Sequence, residues 1–333
     1  MKTVRVLLAG FGGLGAQDHQ SAMYAPAFTA HPGFRIVGVA ITHPGEAERA
    51  RQAAVNLSVP CHDDLDTALS TVEAPVVSVA AAAPVRAEAL AAVLRAGRHV
   101  LADKPFAMTL AETRELAALA TATGPSTVTV AHHHRFHPMV TAAASAIRSG
   151  RVGLPWNVQA DFVVAGGTPC PDGELLNFGC YAIDVVDALT GLGVRRVHAL
   201  PAGTGLTLLA LDHEHGVTST IVVGRTAELA GLPPGRLTRH RYRISGSHGV
   251  LDVDATKPEL TVASSSTMAR TWLAARTVDR LLDELYATVT TGRDSVVGMP
   301  QALRTAEVLD AAQRASTTGA PVAITTWTER RAG

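Results

Sequence analysis

The stretch Val4–Ala16, VRVLLAGFGGLGA, is a short apolar run that breaks into Gly10, Gly12, Gly13 and Gly15. An apolar run of this length, VRVLLA, reads as a buried strand. Gly10-x-Gly12-x-x-Gly15 directly behind it fits a strand–turn–helix junction. The first glycine allows a tight turn, the second lets backbone approach a pyrophosphate, and the third lets the helix pack close to the strand. A helix N-terminus beginning there would offer N–H groups to phosphates.

Outward from this junction, short apolar runs alternate with alanine-rich helical patterns. Arg35–Ala40, Val76–Ala80 and His99–Ala102 read as strands. Pro44–Ala54, a segment capped by Asp63 and Asp64 through Leu69, Ala87–Ala96 with Gly97 as its C′ residue, and Thr109 to about Thr123 behind the capping box Thr109-x-x-Glu112 read as helices. Strands alternating with helices predict a parallel sheet covered on both faces. Thr127–His132 reads as a last strand and Pro138–Ser149 as a helix stopped by Gly150. From Trp156 to Ala263 alternating strands dominate, with hairpins in Thr207–Gly224 and His240–Asp254 and one helix, Leu175–Leu189. Helices over Trp272–Thr291 and Gln301–Ser316 follow. The expected fold class is α/β: a doubly wound parallel sheet over residues 1–124, an α+β domain with an open, mostly antiparallel sheet over 125–324, and a polar tail over 325–333.

Composition agrees and excludes several function classes. A chain of 333 residues predicts about two domains. Lys+Arg and Asp+Glu are 29 each, so the net charge is zero and there is no electrostatic footprint for nucleic acid or an anionic membrane. Hydrophobic residues at 47% allow a packed core, and aromatics at only 4% mean that Ala, Val and Leu must build it. Cys61, Cys170 and Cys180 are few and lack metal spacing, which argues against a disulfide scaffold or zinc module and for a reducing cytoplasm. Lys2 and Arg5 ahead of VLLAGFGGLGA resemble a signal peptide, but its glycines make a poor signal helix. No stretch reaches the roughly 18 apolar residues of a membrane span.

The second strand is followed by Ile41-Thr42-His43. A carboxylate there would bond the ribose 2′-OH of NAD. This triplet has none, while Thr42 and His43, with Arg49 or Arg51 nearby, can donate to a 2′-phosphate, so the expected cofactor is NADP with NAD as the alternative. Lys104 follows the strand ending in Ala102-Asp103. Ligands in such sheets bind beyond the carboxyl ends of the strands, where a lysine can hold a substrate hydroxyl and stabilise charge developing on oxygen. Taken alone, a lysine is more often solvated surface.

The combination resembles the Gfo/Idh/MocA family, named for glucose–fructose oxidoreductase, inositol dehydrogenase and a rhizopine-catabolism protein. The resemblance rests on the glycine turn, AGRHVLADKP (Asp103-Lys104-Pro105 for the family's Glu-Lys-Pro), RFHP at Arg135–Pro138, GELLNFGCYAID at Gly173–Asp184, HGVTSTIVVG, ISGSHGVLDVD and the closing Gly298–Val322. It implies an N-terminal Rossmann domain and a C-terminal domain whose open sheet mediates a homodimer or homotetramer. It also implies hydride transfer between a nicotinamide and a carbinol or carbonyl carbon of a small polar substrate, a sugar, nucleotide sugar or cyclitol. The cofactor residues implied by motif and resemblance are Gly10, Phe11, Gly12, Gly13, Leu14, Gly15, Thr42, His43, Ala80, Ala81 and Lys104. Lys104 would position substrate and move protons.

In Gly173–Asp184 the family commonly shows G-x-L-x-D-x-G-x-H-x-x-D. Here Asn177 stands for the first Asp, Tyr181 for the His, and Asp184 is kept. On a helix these three share one face. Tyr, like His, can pass a proton to a ketone oxygen or take one from an alcohol. The resemblance makes Lys104, Tyr181, Asp184 and Asn177 the catalytic group, and relatives with Tyr at this position tend to use NADP. His133 falls where the family often has a pocket Asn, so Lys104, His133 and Tyr181 are the expected substrate contacts. Other positions depart from the pattern: Ala81, Ala82, Ala83 and Arg86 replace Thr-Pro-Asn-x-x-His, and Tyr24, rather than His19, aligns with the family's helix His. His132–His134 raises a metal reading, since alternate strand residues share a face, but no acidic or Cys partner sits at ligand spacing and no metal is expected. His213 and His215 are expected in a solvated turn. A non-catalytic NAD(P)-binding sensor is the rival from another class, favoured by Ala81–Ala83, Asp103 and Asn177; elimination through transient oxidation is the third reading.

Overall fold

The computed structural model describes residues 3–14, 17–124, 126–203, 205–231, 233–256, 259–264, 268–272 and 276–325. The chain forms two compact units. One comprises Met1–His132 with Val278–Ala306, the other His133–Thr277 with Glu307–Gly333.

The first unit is built from β1 (Val4–Ala9), α1 (Ala25–Ala30), β2 (Phe34–Ala40), α2 (Ala47–Leu57), β3 (Cys61–His62), α3 (Leu65–Thr71), β4 (Val76–Val79), α4 (Arg86–Arg95), β5 (His99–Ala102), α5 (Leu110–Ala122) and β6 (Val128–Val130). Its strands form one sheet in the order β3-β2-β1-β4-β5-β6, parallel throughout. This is the Rossmann order, whose direction reverses between β1 and β4 and leaves a crevice at the carboxyl ends of those strands. Buried on both faces, the strands are nearly continuous apolar runs, with Val6, Leu8, Val77 and Val100 fully covered. Local signals fix the helix ends as the sequence predicts. The Asp64 carboxylate accepts the Thr67 N–H, Thr109 and Glu112 close a capping box, and Gly97 turns the chain with φ of +66° after α4.

The division between units falls at His132/His133 and not at residue 124, because β6 pairs with β5 and completes the parallel sheet. Residues Val278–Ala306 also return to this unit. There the Val130 N–H donates to the Val297 carbonyl at 2.8 Å, and the Tyr286 ring lies 5.6 Å from Phe34, edge to face. Gly33 makes room for it: a Cβ at that position would come within 2.5 Å of Tyr286 Cε2.

The second unit contains α6 (Pro138–Arg148), β7 (Pro155–Ala165), α7 (Glu174–Thr190), β8 (Val194–Ala202), β9 (Leu206–His213), β10 (Thr218–Thr226), β11 (Arg236–Gly246), β12 (Gly249–Asp254), β13 (Glu259–Ser264) and β14 (Met268–Trp272). After the last two helices, α8 (Thr277–Thr291) and α9 (Met299–Thr318), the short β15 (Val322–Ala323) closes the sheet. The order is β14-β13-β12-β11-β7-β10-β9-β8-β15, with β7 and β10 parallel and the remaining pairs antiparallel. α7 packs on β7 and β10. Along β11, His240, Tyr242 and Ile244 are buried while Arg239, Arg241 and Arg243 are exposed, the period of two of a sheet covered on one side.

Three expectations change. The helix expected from Trp272 begins at Thr277, because Met268–Trp272 pairs with β13 as a strand. Pro44–Glu46 is a 3₁₀ turn ahead of α2, not part of one helix. His213 is buried, not solvated: its Nε2 lies 2.7 Å from the Ser219 hydroxyl, while His215 next to it is exposed with φ of +58°. Of the polar tail, residues 326–333 lie outside the described residues.

Leaving a buried polar nitrogen unpaired costs about 1–3 kcal/mol. Ser219→Ala is therefore expected to lower unfolding free energy by that amount without changing the far-UV spectrum, as measured by urea titration.

Candidate functional site

In the first unit the glycine turn lies against the end of β4. A Cβ on Gly10, whose φ is +81°, would fall 2.8 Å from the Ala81 backbone, and one on Gly12 would fall 3.0 Å from the Ala82 nitrogen. Only glycine permits this approach. The N–H groups of Gly10, Phe11 and Gly12 donate to the Ala40 carbonyl, the Glu46 carboxylate and the Ala80 carbonyl respectively. Gly13 and Leu14 are the next peptide groups, and the close backbone approach at Gly10 and Gly12 gives the turn the form that a dinucleotide pyrophosphate needs. Gly15 lies outside the described residues. The helix expected directly behind the turn starts later. His19 precedes a π-helical turn, Gln20–Tyr24, which leads into α1. The turn brings Gln20 inward, where it exchanges hydrogen bonds with Ser78.

At the end of β2 the structure supplies the acid that Ile41-Thr42-His43 lacks. Glu46, 2% exposed, folds back so that Oε1 accepts from the Thr42 N–H (2.7 Å), the Thr42 hydroxyl (2.8 Å) and the His43 N–H (3.2 Å), while Oε2 accepts from the Phe11 N–H (3.0 Å). The expected Thr42 donor is thus directed to Glu46. His43 accepts the Gly45 N–H through Nδ1, which puts its proton on Nε2. His43 and Arg51 border a cleft of about 620 Å³, with Thr42, Asp63, Glu88 and Arg95 also on its walls. Arg51 pairs with Asp63 at 3.0 Å, both largely exposed.

Beyond β5 lies a buried polar cluster. Asp103 and Lys104 are each 1% exposed. Asp103 Oδ1 accepts from the Tyr24 hydroxyl at 2.6 Å and lies 2.9 Å from His19 Nδ1, and Oδ2 lies 3.5 Å from the Arg86 guanidinium. Burial alone would raise the Asp103 pKa; the His19 ring, Arg86 and the Lys104 ammonium outweigh it and hold the carboxyl well below the usual range. Both Tyr24 and His19, which the alignment had set against each other, serve this carboxylate. Arg86, standing for the family's His, also donates twice to the Ala81 carbonyl (3.2 and 3.1 Å) and once to the Pro105 carbonyl (2.7 Å). It therefore fixes the backbone on both sides of the Asp103–Lys104 pair and engages the Ala81 carbonyl from within.

In the second unit, Asn177, Tyr181 and Asp184 lie on α7, all buried. Asn177 donates to Glu174 Oε2 at 3.1 Å. Glu174 Oε1 accepts from Arg225 at 2.6 Å and from the Cys170 N–H at 3.0 Å, so a buried ion pair anchors the start of the helix. Asp184 is gripped by Arg135 through two bonds of 2.8 and 2.7 Å. Burial disfavours the Arg135 cation, but Asp184 and Asp187 more than offset this and raise its pKa. Tyr181 meets His133: the phenol oxygen is 3.2 Å from Nε2, and Nδ1 is 2.7 Å from the Thr277 hydroxyl. His133–Phe136 form a 3₁₀ turn, so the strand alternation behind the metal reading does not apply there. Among the described residues no group of three or more His, Cys, Asp or Glu could hold a metal ion. The sequence reading missed Glu46, Arg86 as an anchor, Arg135, Arg225 and Thr277. RFHP in the family resemblance was the one signal pointing at Arg135.

Residues 4–132 match the oxidoreductase family with an NAD-binding Rossmann fold, GFO_IDH_MocA. The dTDP-3,4-didehydro-2,6-dideoxy-alpha-D-glucose 3-reductase of Streptomyces antibioticus is 30% identical over 276 residues, 75% of this chain and 77% of that protein. The chain belongs to the Gfo/Idh/MocA family. D-apiose dehydrogenase of Paraburkholderia graminis is 27% identical over 226 residues, 63% of this chain, and the match spans 59% of that relative's length. The fold of this Gfo/Idh/MocA member is also that of an oxidoreductase from Agrobacterium radiobacter crystallised with NAD+, L-tartaric acid and magnesium: the TM-score is 0.84 at 15% identity, covering 98% of this chain and all of that one.

Burial, helped by His137 and His133, pushes the His240 ring down to about 3. In the unfolded chain a His titrates near ~6.5, so the neutral buried ring contributes stability that is complete above that pH and is lost as pH falls toward its folded value. Replacing it with His240→Leu is expected to flatten the decline in unfolding free energy between pH 6.5 and 4 by about 1 kcal/mol per pH unit, read from urea titrations across that range.

Proposed function

We propose that this chain is an NADP(H)-dependent oxidoreductase acting on a carbinol or carbonyl carbon of a small polar substrate, a sugar, nucleotide sugar or cyclitol. The observation that carries the reading is Lys104, a buried ammonium at the carboxyl end of a Rossmann strand, set beside an ionised Asp103 that His19, Tyr24 and Arg86 hold in place. The carboxyl end of such a strand is where ligands bind, and a lysine fixed there beside a carboxylate can polarise a carbonyl oxygen. The family supports the reaction class, and the named relatives above, a sugar dehydrogenase and a nucleotide-sugar reductase, support the substrate class.

A bound nicotinamide supplies the hydride donor or acceptor. The chain does the rest. Gly13 and Leu14 would hold the pyrophosphate, and Lys104 binds the substrate oxygen and stabilises its negative charge. Tyr181 gives that oxygen a proton in reduction and takes one in oxidation. Asn177 and Asp184 act on Tyr181 by fixing α7 through Glu174 and Arg135. The preference for NADP is supported by the donors that border the cleft and by the absence of a carboxylate in the Ile41-Thr42-His43 triplet that ends β2. Both oxygens of Glu46 already accept donors, while His43 Nε2–H and Arg51 border the same cleft. The Arg51–Asp63 pair is exposed and weak enough to yield to a phosphate.

Lys104→Ala and Tyr181→Phe are expected to lower turnover with sugar or nucleotide-sugar carbonyls by about 10²–10⁴-fold while NADPH still quenches protein fluorescence. Wild-type turnover in either variant, or NADPH binding with no oxidation by any carbonyl in such a panel, would overturn the reading. For the coenzyme, Arg51→Ala and His43→Ala should each weaken NADPH about tenfold, the loss of one bond to a charged group, and leave NADH within about twofold by fluorescence titration.

A further inference from the structure

The two ring nitrogens of His133 are both engaged inside the second unit, by the Tyr181 phenol at 3.2 Å and the Thr277 hydroxyl at 2.7 Å. A hydroxyl can donate or accept, and a neutral imidazole carries its proton on either nitrogen. The row Thr277 Oγ1–His133–Tyr181 Oη is therefore satisfied in two ways. In one, Thr277 donates to Nδ1 and Nε2–H donates to the phenol oxygen, so that the phenol proton points onward. In the other, the phenol donates to Nε2 and Nδ1–H donates to Thr277. The two differ by the passage of one proton along the row.

Packing holds the rings in this geometry without using their polar atoms. Tyr181 is stacked on Phe162 at 5.6 Å and 25°, and the His134 ring sits edge-on to it at 4.5 Å. His133 lies against His134 at 4.2 Å. His133 and Tyr181 are buried and Thr277 is half-buried, so the row runs from an enclosed phenol toward solvent.

We infer that His133 is a proton relay behind Tyr181, connecting the phenol to water through Thr277. The inference rests on the reading of Tyr181 as the proton donor and acceptor. In carbonyl reduction the Tyr181 O–H bond breaks as the O–H bond of the product alcohol forms. The Nε2–H proton passes to the phenolate oxygen, and the Thr277 hydroxyl gives its proton to Nδ1 as it takes one from water. One proton leaves water and one arrives on the substrate oxygen; oxidation runs the row backwards. This assigns His133 a place behind the acid and not the substrate contact expected from alignment. Among the described residues, the charged and titratable groups around the row include His134 and Arg135 on its own turn, His137 at the start of α6, Asp184 and Asp187 on α7, His240 and Tyr242 on β11, and Arg276 and Asp279 beside Thr277 in sequence.

The test uses the full chain. Subtracting the tyrosinate absorbance titration of Tyr181→Phe from that of wild type isolates the Tyr181 phenol with no substrate present. In His133→Ala the isolated midpoint should move by about half a pH unit or more, and added imidazole should return it toward the wild-type value. With an oxidisable or reducible sugar, His133→Ala should lose about 10–100-fold in turnover and regain part of it with imidazole. His133→Asn, which can bond the phenol but cannot carry a proton, should fold normally and change a bowed solvent-isotope proton inventory into a linear one. An unmoved Tyr181 midpoint, turnover within about twofold of wild type in His133→Asn, or a loss in His133→Ala that imidazole does not relieve would each overturn the relay. A coupled titration in a wild-type chain that oxidises no NADPH would keep the relay and reject the proposed activity.

Discussion

A single buried carboxylate orders the first unit around its ligand crevice. Asp103 has no water to solvate it, and an unpaired charge in that position would cost several kcal/mol. It is compensated by Tyr24 and His19 from the segment that enters α1, by Arg86 from the start of α4, and by its neighbour Lys104. The glycine turn passes beside it: a Cβ on Gly13 would sit 3.7 Å from Asp103 Oδ2. Three stretches of chain, residues 13–24, Arg86 and Asp103–Lys104, thus meet at one ion, and the lysine beside it inherits their rigidity.

The second unit repeats the device with different residues. Arg225 clamps Glu174 at the start of α7, and Arg135 clamps Asp184 further along it. Tyr181 lies between the two clamps on a helix that is buried along most of its length. Removing one partner of such a pair strands the other charge, so these arginines matter for shape before they matter for chemistry. Where the family's Thr-Pro-Asn-x-x-His is replaced, Arg86 bonds the Ala81 and Pro105 carbonyls.

The sequence disclosed what depends on short-range pattern. The Thr109–Glu112 box, the Asp64 cap, the Gly97 stop and the apolar runs of β1, β4 and β5 each need only a few consecutive residues, and each is where the pattern puts it. The parallel Rossmann sheet and the mostly antiparallel second sheet follow from the same rules. Hidden from that reading were contacts between distant residues. Glu46 reaches Phe11 across 35 positions, and His133 reaches Thr277 across 144. His213 looked like a turn residue because its neighbours are polar, yet the ring folds inward onto Ser219. Behind the glycine turn, where an α start was expected, the chain enters α1 through a π turn, Gln20–Tyr24, for which no short-range sequence signal exists.

The return of Val278–Ala306 to the first unit has a consequence for how such a gene can be rebuilt. The Rossmann sheet ends on a strand whose Val130 leans on Val297, and the Phe34 ring is covered by Tyr286. Neither lobe is therefore a continuous stretch of coding sequence. A chimera that exchanged one lobe at a single crossover would leave an edge of that sheet unbacked and an aromatic pocket empty, so viable recombinants of this fold require three junctions, near residues 132, 277 and 306.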